Sequence, residues 1–111
     1  MISFLFGDFM RDFEKYTYEI FPVECDFSPN MEDDETLVLA SSSVEIYDES
    51  GTDRTSTMIV AGSEQVEGQT LKAKVTGGVK DAIYTVKFKV LTSASNKYQQ
   101  DKTLYVMYET V

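Results

Sequence analysis

Between Leu71 and Val90 two runs of alternating apolar and polar residues flank a pair of glycines, and that arrangement leaves few folds open. Leu71, Ala73 and Val75 alternate with Lys72, Lys74 and Thr76; Ala82, Tyr84, Val86, Phe88 and Val90 alternate with Ile83, Thr85, Lys87 and Lys89. A period of two puts one set of side chains on each face of a strand, so both runs predict half-buried β-strands. Gly77-Gly78 breaks the chain between them. Further strands are predicted over residues 18–23, 36–40, 44–48, 57–60 and 102–109, with loops at 49–51, 61–63, 67–68 and 93–96. Pro22 assigns the first of these to a sheet edge, because it cannot donate to a ladder. About seven short strands separated by frequent turns predict an all-β fold, a two-sheet antiparallel β-sandwich.

A chain of 111 residues makes one core. Its 42% hydrophobic and 26% charged residues are ordinary globular proportions. No apolar run reaches the roughly 18–20 residues that span a bilayer, and the opening Met1-Ile2-Ser3-Phe4-Leu5-Phe6 meets Asp8 without a basic leader, so neither membrane insertion nor export is expected. Cys25 is the only cysteine, which excludes an internal disulfide and suits a reducing compartment.

The net charge of −9 is divided unevenly: residues 1–53 carry 14 acidic and 2 basic residues, residues 54–111 carry 5 acidic and 8 basic. Lys72, Lys74, Lys80, Lys87 and Lys89 are the only candidates for a basic footprint, and inside an acidic whole they argue against a nucleic-acid partner. Opposed halves suit association with copies of the same chain or with a neighbour of patterned charge. A surface kept soluble by excess carboxylates is the plainer reading of the same balance.

Six of seven phenylalanines fall in the first 27 residues. Ile2, Leu5, Phe6, Phe9, Phe13 and Tyr16 recur at steps of three and four, which predicts a short amphipathic helix over residues 2–16. The segment 1–17 is therefore set apart from a sandwich domain over 18–111. It either closes an open end of the sandwich or serves as a docking arm, with Phe4, Phe6, Phe9 and Phe13 as the partner-binding anchor. Its polar face is more acidic than basic, which disfavours a membrane surface.

Catalysis finds little to work with. Without histidine there is no imidazole base, no Ser-His-Asp arrangement and no His-based zinc site. Cys25 lies between Glu24 and Asp26, whose charges disfavour a thiolate. Nothing singles out a carboxylate pair, so no catalytic residue and no cofactor are expected. The acidic stretches 32–35 and 48–53 offer oxygen ligands for calcium, but Gly51 follows Asp48 by three residues and no distal glutamate completes an EF-hand. A ligand-binding module, holding calcium or a carbohydrate in end loops with Tyr47 or Tyr98 stacking on sugar, is the alternative function.

The spacing of Ala82, Tyr84 and Val86 resembles the immunoglobulin-like pattern, in which a tyrosine two residues before the second cysteine position bonds back to the preceding crossover loop. The disulfide and the tryptophan of true immunoglobulin domains are missing. If the likeness holds, Tyr84 is a structural corner, residues 75–81 cross between sheets, and Lys72 and Lys74 face solvent on one sheet while Lys87 and Lys89 do so on the other. Tyr84 is otherwise a packed core aromatic.

A second resemblance bears on function. Asp33-Asp34-Glu35-Thr36-Leu37, then Ser41-Ser42-Ser43-Val44-Glu45-Ile46, then Thr76-Gly77-Gly78, Tyr84-Thr85-Val86 and Leu91-Thr92-Ser93-Ala94-Ser95 resemble small β-sandwich virion structural proteins of tailed bacteriophages and prophages. The likeness spans about residues 27–108, although Leu37-Val38-Leu39 replaces a strand that usually contains tryptophan. It implies a non-enzymatic assembly component of adaptor, neck, fibre-attachment or head-decoration type. Such a component is made in the host cytoplasm, resides in the virion, and has other virion proteins and copies of itself as partners.

Overall fold

The computed structural model describes residues 11–107. Seven strands form two sheets: β1 (Phe13–Lys15), β3 (Ser43–Asp48), β6 (Ile83–Leu91) and β7 (Lys97–Val106) in the order β1-β7-β6-β3, and β2 (Phe21–Asp26), β4 (Gln65–Glu67) and β5 (Thr70–Val75) in the order β2-β5-β4. Every pairing is antiparallel except that of β1 with β7, which is parallel. The fold is the expected all-β sandwich.

Alternation decides which side chains are sealed between the sheets. Tyr84, Val86, Phe88 and Val90 of β6 are buried, and their odd-numbered neighbours are half-exposed. Leu71, Ala73 and Val75 of β5 and Val23 and Cys25 of β2 answer from the other sheet, with Phe27, Ile46, Leu104 and Val106 completing the core. Each large apolar side chain buried this way contributes roughly 1.5–3 kcal/mol. Cys25 is free and buried, and desolvation pushes its thiol up to about 11.

Two expected strands give way to turns. In place of a strand over 36–40 there is one bridge, Leu37 to Thr92, followed by a 3₁₀ turn at Leu39–Ser41. Ser42 Oγ donates to the Val38 carbonyl at 2.8 Å, a local bond that turns the chain before pairing can continue. Of the strand expected over 57–60, Thr57 and Met58 instead end one helical turn, α1 (Thr55–Met58), whereas Ile59 bridges Val75 of β5 and the Val60 N–H donates to the Lys74 carbonyl at 2.9 Å; just ahead of the turn the Thr55 N–H donates to Asp53 Oδ1 at 2.8 Å. Thr55 Oγ1 also accepts the Ile46 N–H of β3 at 3.0 Å, so the turn covers that strand's edge, while Met58 and Ile59 still reach the core.

The ends of the chain also differ from expectation. Of the helix expected over 2–16, the described part contains β1 instead, because the last third of β7 offers free backbone groups that Phe13–Lys15 pair with. Phe4, Phe6 and Phe9 lie outside the described residues. β2 begins at Phe21, not at 18, and Pro22 sits in it at the edge of its sheet. β7 starts at Lys97, five residues before the apolar alternation that announces it, and β4 holds only Val66 as an apolar residue.

β5 and β6 lie in different sheets, so the segment between them crosses the sandwich. The crossing requires Gly78: its φ is +94°, and a Cβ there would stand 2.8 Å from Val106 Cγ2 and 3.1 Å from Met58 Cε. Gly78→Ala is expected to cost about 1–3 kcal/mol through strain and crowding. Urea denaturation checks this, and a midpoint equal to the parent's would show that the corner tolerates a side chain.

Candidate docking face at the crossover end

The crossover corner is tied down by two polar side chains. Tyr84, buried on β6, accepts the Val79 N–H on its hydroxyl at 2.9 Å, which fixes the far arm of the crossover to the strand it feeds. Lys15, at the end of β1, is fully buried. Its ammonium donates to the Gly77 carbonyl at 2.6 Å and the Tyr16 carbonyl at 2.7 Å. Burial pushes this lysine below its ordinary value, and nearby Glu19 opposes the shift. One ammonium thus holds the turn after β1 against the crossover, with the Tyr16 and Gly77 carbonyls both on it.

That junction exposes what the core does not absorb. Tyr18 is 92% exposed, Val79 66%, Ile20 61% and Tyr16 41%. Beside Val79 opens a shallow groove of about 500 Å³ whose lining includes Met58, Gly78, Tyr84, Arg54 and Asp48. Apolar groups on two adjacent loops beside a concave surface have the composition of a protein contact, with polar groups at its margin.

The loop bounding the groove shows what the acidic stretches do. Asp48 Oδ1 accepts from Ser50 N–H at 3.0 Å, Ser50 Oγ at 2.7 Å and Thr52 N–H at 2.9 Å, and Oδ2 accepts Arg54 Nε at 3.0 Å. These donors, the Ser50 hydroxyl foremost, lower Asp48 to about 2. The carboxylate closes its own loop. Among the described residues no three His, Cys, Asp or Glu side chains stand close enough together to hold a metal ion.

The other acidic stretch serves the opposite end of the sandwich. Glu35 turns inward, accepting the Thr92 hydroxyl, Asn96 Nδ2 at 3.2 Å and the Glu32 N–H at 3.0 Å. Gln69 Nε2 donates to the Glu32 and Glu35 carbonyls, both at 2.8 Å, and so ties the same stretch to the loop before β5. Tyr47 of the alternative reading donates to Glu45 Oε1 at 3.0 Å with Lys87 Nζ 5.4 Å from its ring centre, and Tyr98 packs in part against the core.

Of the four proposed anchor residues the structure describes Phe13. It is half-buried, with ring centroids 6.5 Å from Phe21 and 6.4 Å from Phe88, and closes the gap where β1 and β2 meet the core. The basic residues are dispersed, and three of the lysines are paired: Lys72 with Glu24 at 3.8 Å and with Glu67 on one sheet, Lys87 with Asp101 at 3.6 Å and Lys89 with Glu45 at 3.1 Å on the other. The exposed Tyr18, Ile20 and Val79 carried no sequence signal of their own, since apolar residues in turns are visible as such only once the turns are placed.

The sequence that builds this sandwich matches a known family model. Residues 15–105 match the profile described as podophage GP4 fiber-tail adaptor protein gp77. The chain belongs to that family. It is a phage virion structural protein of adaptor type, and the match covers all but the first two residues of β1 and the last residue of β7. No curated protein matches the chain. No helix among the described residues is long and apolar enough to cross a membrane.

Hydrogen bonds from Thr92, Glu32 and Asn96, with Thr92 the largest cause, hold Glu35 below its usual 4.5. A carboxyl lowered by folding adds stability that is complete above that value and is lost as the pH falls through it towards the folded one. Glu35→Gln is therefore expected to be less stable than the parent near neutrality, with the gap closing below about pH 4.5. Urea midpoints of both proteins across this range measure it, and a gap constant with pH would separate the network from the charge.

Proposed function

We propose that this chain is a non-enzymatic adaptor that joins a phage tail to a fibre, acting through protein contacts of its crossover end. The family match over residues 15–105 carries the reading, because it spans the sandwich together with the exposed end formed by Tyr18, Ile20 and Val79. Apolar side chains fixed on tied loops lose little freedom on contact, which is what an anchoring patch requires. The chemistry agrees: Cys25 is sealed and Asp48 is consumed by its own loop, so the end offers a surface and not a reaction centre.

The N-terminal segment adds to the same role. Phe4, Phe6 and Phe9 are the docking arm in this proposal, and Phe13, held between Phe21 and Phe88, is where the arm is pinned to the domain. The acidic first half steers the approach of a partner carrying positive potential. Copies of the chain and neighbouring tail proteins are its partners, and the virion is its location.

Ile20→Asp and Val79→Asp place charges on exposed positions and are expected to leave the urea midpoint within about 0.5 kcal/mol of the parent. Co-purification with the tail and fibre proteins of the same phage should fall at least about tenfold. Undiminished co-purification of both variants would put the contact on another face.

A further inference from the structure

The sandwich protects its sheet edges unequally. β2 carries Pro22 and β4 is only three residues long. The outer edge of β3 is covered where Arg54 N–H donates to the Ile46 carbonyl at 2.7 Å and Thr55 Oγ1 accepts the Ile46 N–H. The outer edge of β7 is covered only in its last third, by β1. Asp12 Oδ2 then accepts the Thr103 N–H at 2.8 Å. Among the described residues nothing pairs with the edge from Lys97 to Asp101.

The direction of the free groups follows from two bonds. Thr103 N–H points to Asp12 and Met107 N–H to the Lys15 carbonyl, both away from β6, whereas Val106 N–H donates to Ala82 on the β6 side. The β6–β7 register runs without a bulge from Leu91↔Lys97 to Ile83↔Tyr105. Backbone groups alternate sides along such a strand, so those of Lys97, Gln99 and Asp101 face the open edge. Their side chains lie together on the exposed face of the sheet.

We propose that a second copy of this chain pairs with this edge, β7 against β7, antiparallel about a two-fold axis at Gln99. In this register Gln99 faces its own counterpart, and Lys97 of each copy lies opposite Asp101 of the other. All three positions are hydrogen-bonded pairs, giving about six new backbone bonds and two cross-strand ion pairs. Lys97 has no ion-pair partner within its own chain among the described residues, and Asp101 is shared with Lys87 at 3.6 Å. The strand is self-complementary in charge in this alignment alone: a shift by one pair sets a charge opposite Gln99. The neighbour's turn at 93–96 leaves the sheet just where Asp12 caps Thr103, so β1 stays in place. The two four-stranded sheets become one of eight, with the crossover ends at opposite extremes and both free for other partners. The proposal extends the self-association named above and needs no tail or fibre protein.

Sedimentation velocity of the purified chain over a wide concentration range tests it. The parent is expected to dimerise. Lys97→Glu sets two acidic pairs across the axis and Asp101→Lys two basic pairs, so each alone should weaken the dimer by about tenfold or more. Mixing the two variants should restore it, because the introduced glutamate then faces the introduced lysine. Gln99→Pro removes an edge N–H without touching the β6 ladder and should also give a monomer, with its far-UV circular dichroism unchanged. A parent monomeric at every concentration, single variants that dimerise like the parent, or a mixture that stays monomeric would each overturn the pairing. None of these outcomes bears on capture of tail or fibre proteins, which reads the adaptor role separately.

Discussion

The crossover between the sheets is held by three groups that must all be present. Tyr84 fixes Val79, the Lys15 ammonium fixes Gly77, and the missing side chain of Gly78 lets Val106 and Met58 close over the bend. Each satisfies a backbone group or a volume that nothing else nearby can. A buried ammonium is costly to desolvate, and its two carbonyl bonds make sense as the means of joining the N-terminal strand, the crossover and the end of β7 at one point. The relative placement of the sheets, and with it the exposure of Tyr18, Ile20 and Val79, follows from this corner. A docking face built on loops is only as well defined as their anchorage, and here the anchors are inside the protein.

Where burial is two-sided and regular, the sequence was readable. Leu71 to Val75 and Ala82 to Val90 alternate strictly because each packs one face on the core, and both form strands within one residue of expectation. Tyr84 was legible from its spacing. The misreadings share a cause, competition from groups outside the local pattern. Thr36–Ala40 has strand composition, but Ser42 bonds back to Val38. Thr57–Val60 has strand composition, but the Arg54 carbonyl accepts the Thr57 and Met58 N–H groups and turns the first half into a helix, leaving only Ile59 and Val60 to pair with β5. Phe13 and Lys15 satisfy a helical period and a strand period alike, and only the free edge of β7 decides between them. Lys15 sat on the polar face of the expected helix. Its burial depends on carbonyls 62 residues away in the chain, which no local reading sees.

Charge tells a similar story at larger scale. The acidic first half suggested ligand loops or long-range steering, yet its two densest stretches are occupied in structure: Asp48 closes a turn and Glu35 braces the loop at 92–96. The lysines of β5 and β6 are split between sheets, and Lys72, Lys87 and Lys89 are matched by glutamates and an aspartate. Lys97, which has no ion-pair partner among the described residues, and Asp101, which Lys87 approaches at 3.6 Å, stand at the two ends of the stretch of β7 that no described residue pairs with.

An adaptor must meet more than one neighbour without using one surface twice. The sandwich meets this condition through its topology. The apolar crossover end lies where β1, β3 and β5 end and β2 and β6 begin, whereas the open edge of β7 lies at the other end of that strand, beyond Asp12. The contact proposed at the first is apolar and depends on side chains placed by the buried corner, and the contact proposed at the second is backbone pairing whose register is set by charge. Because the two draw on different interactions, one can be strengthened or lost without the other, and a chain with both can be shared between a like copy and an unlike partner.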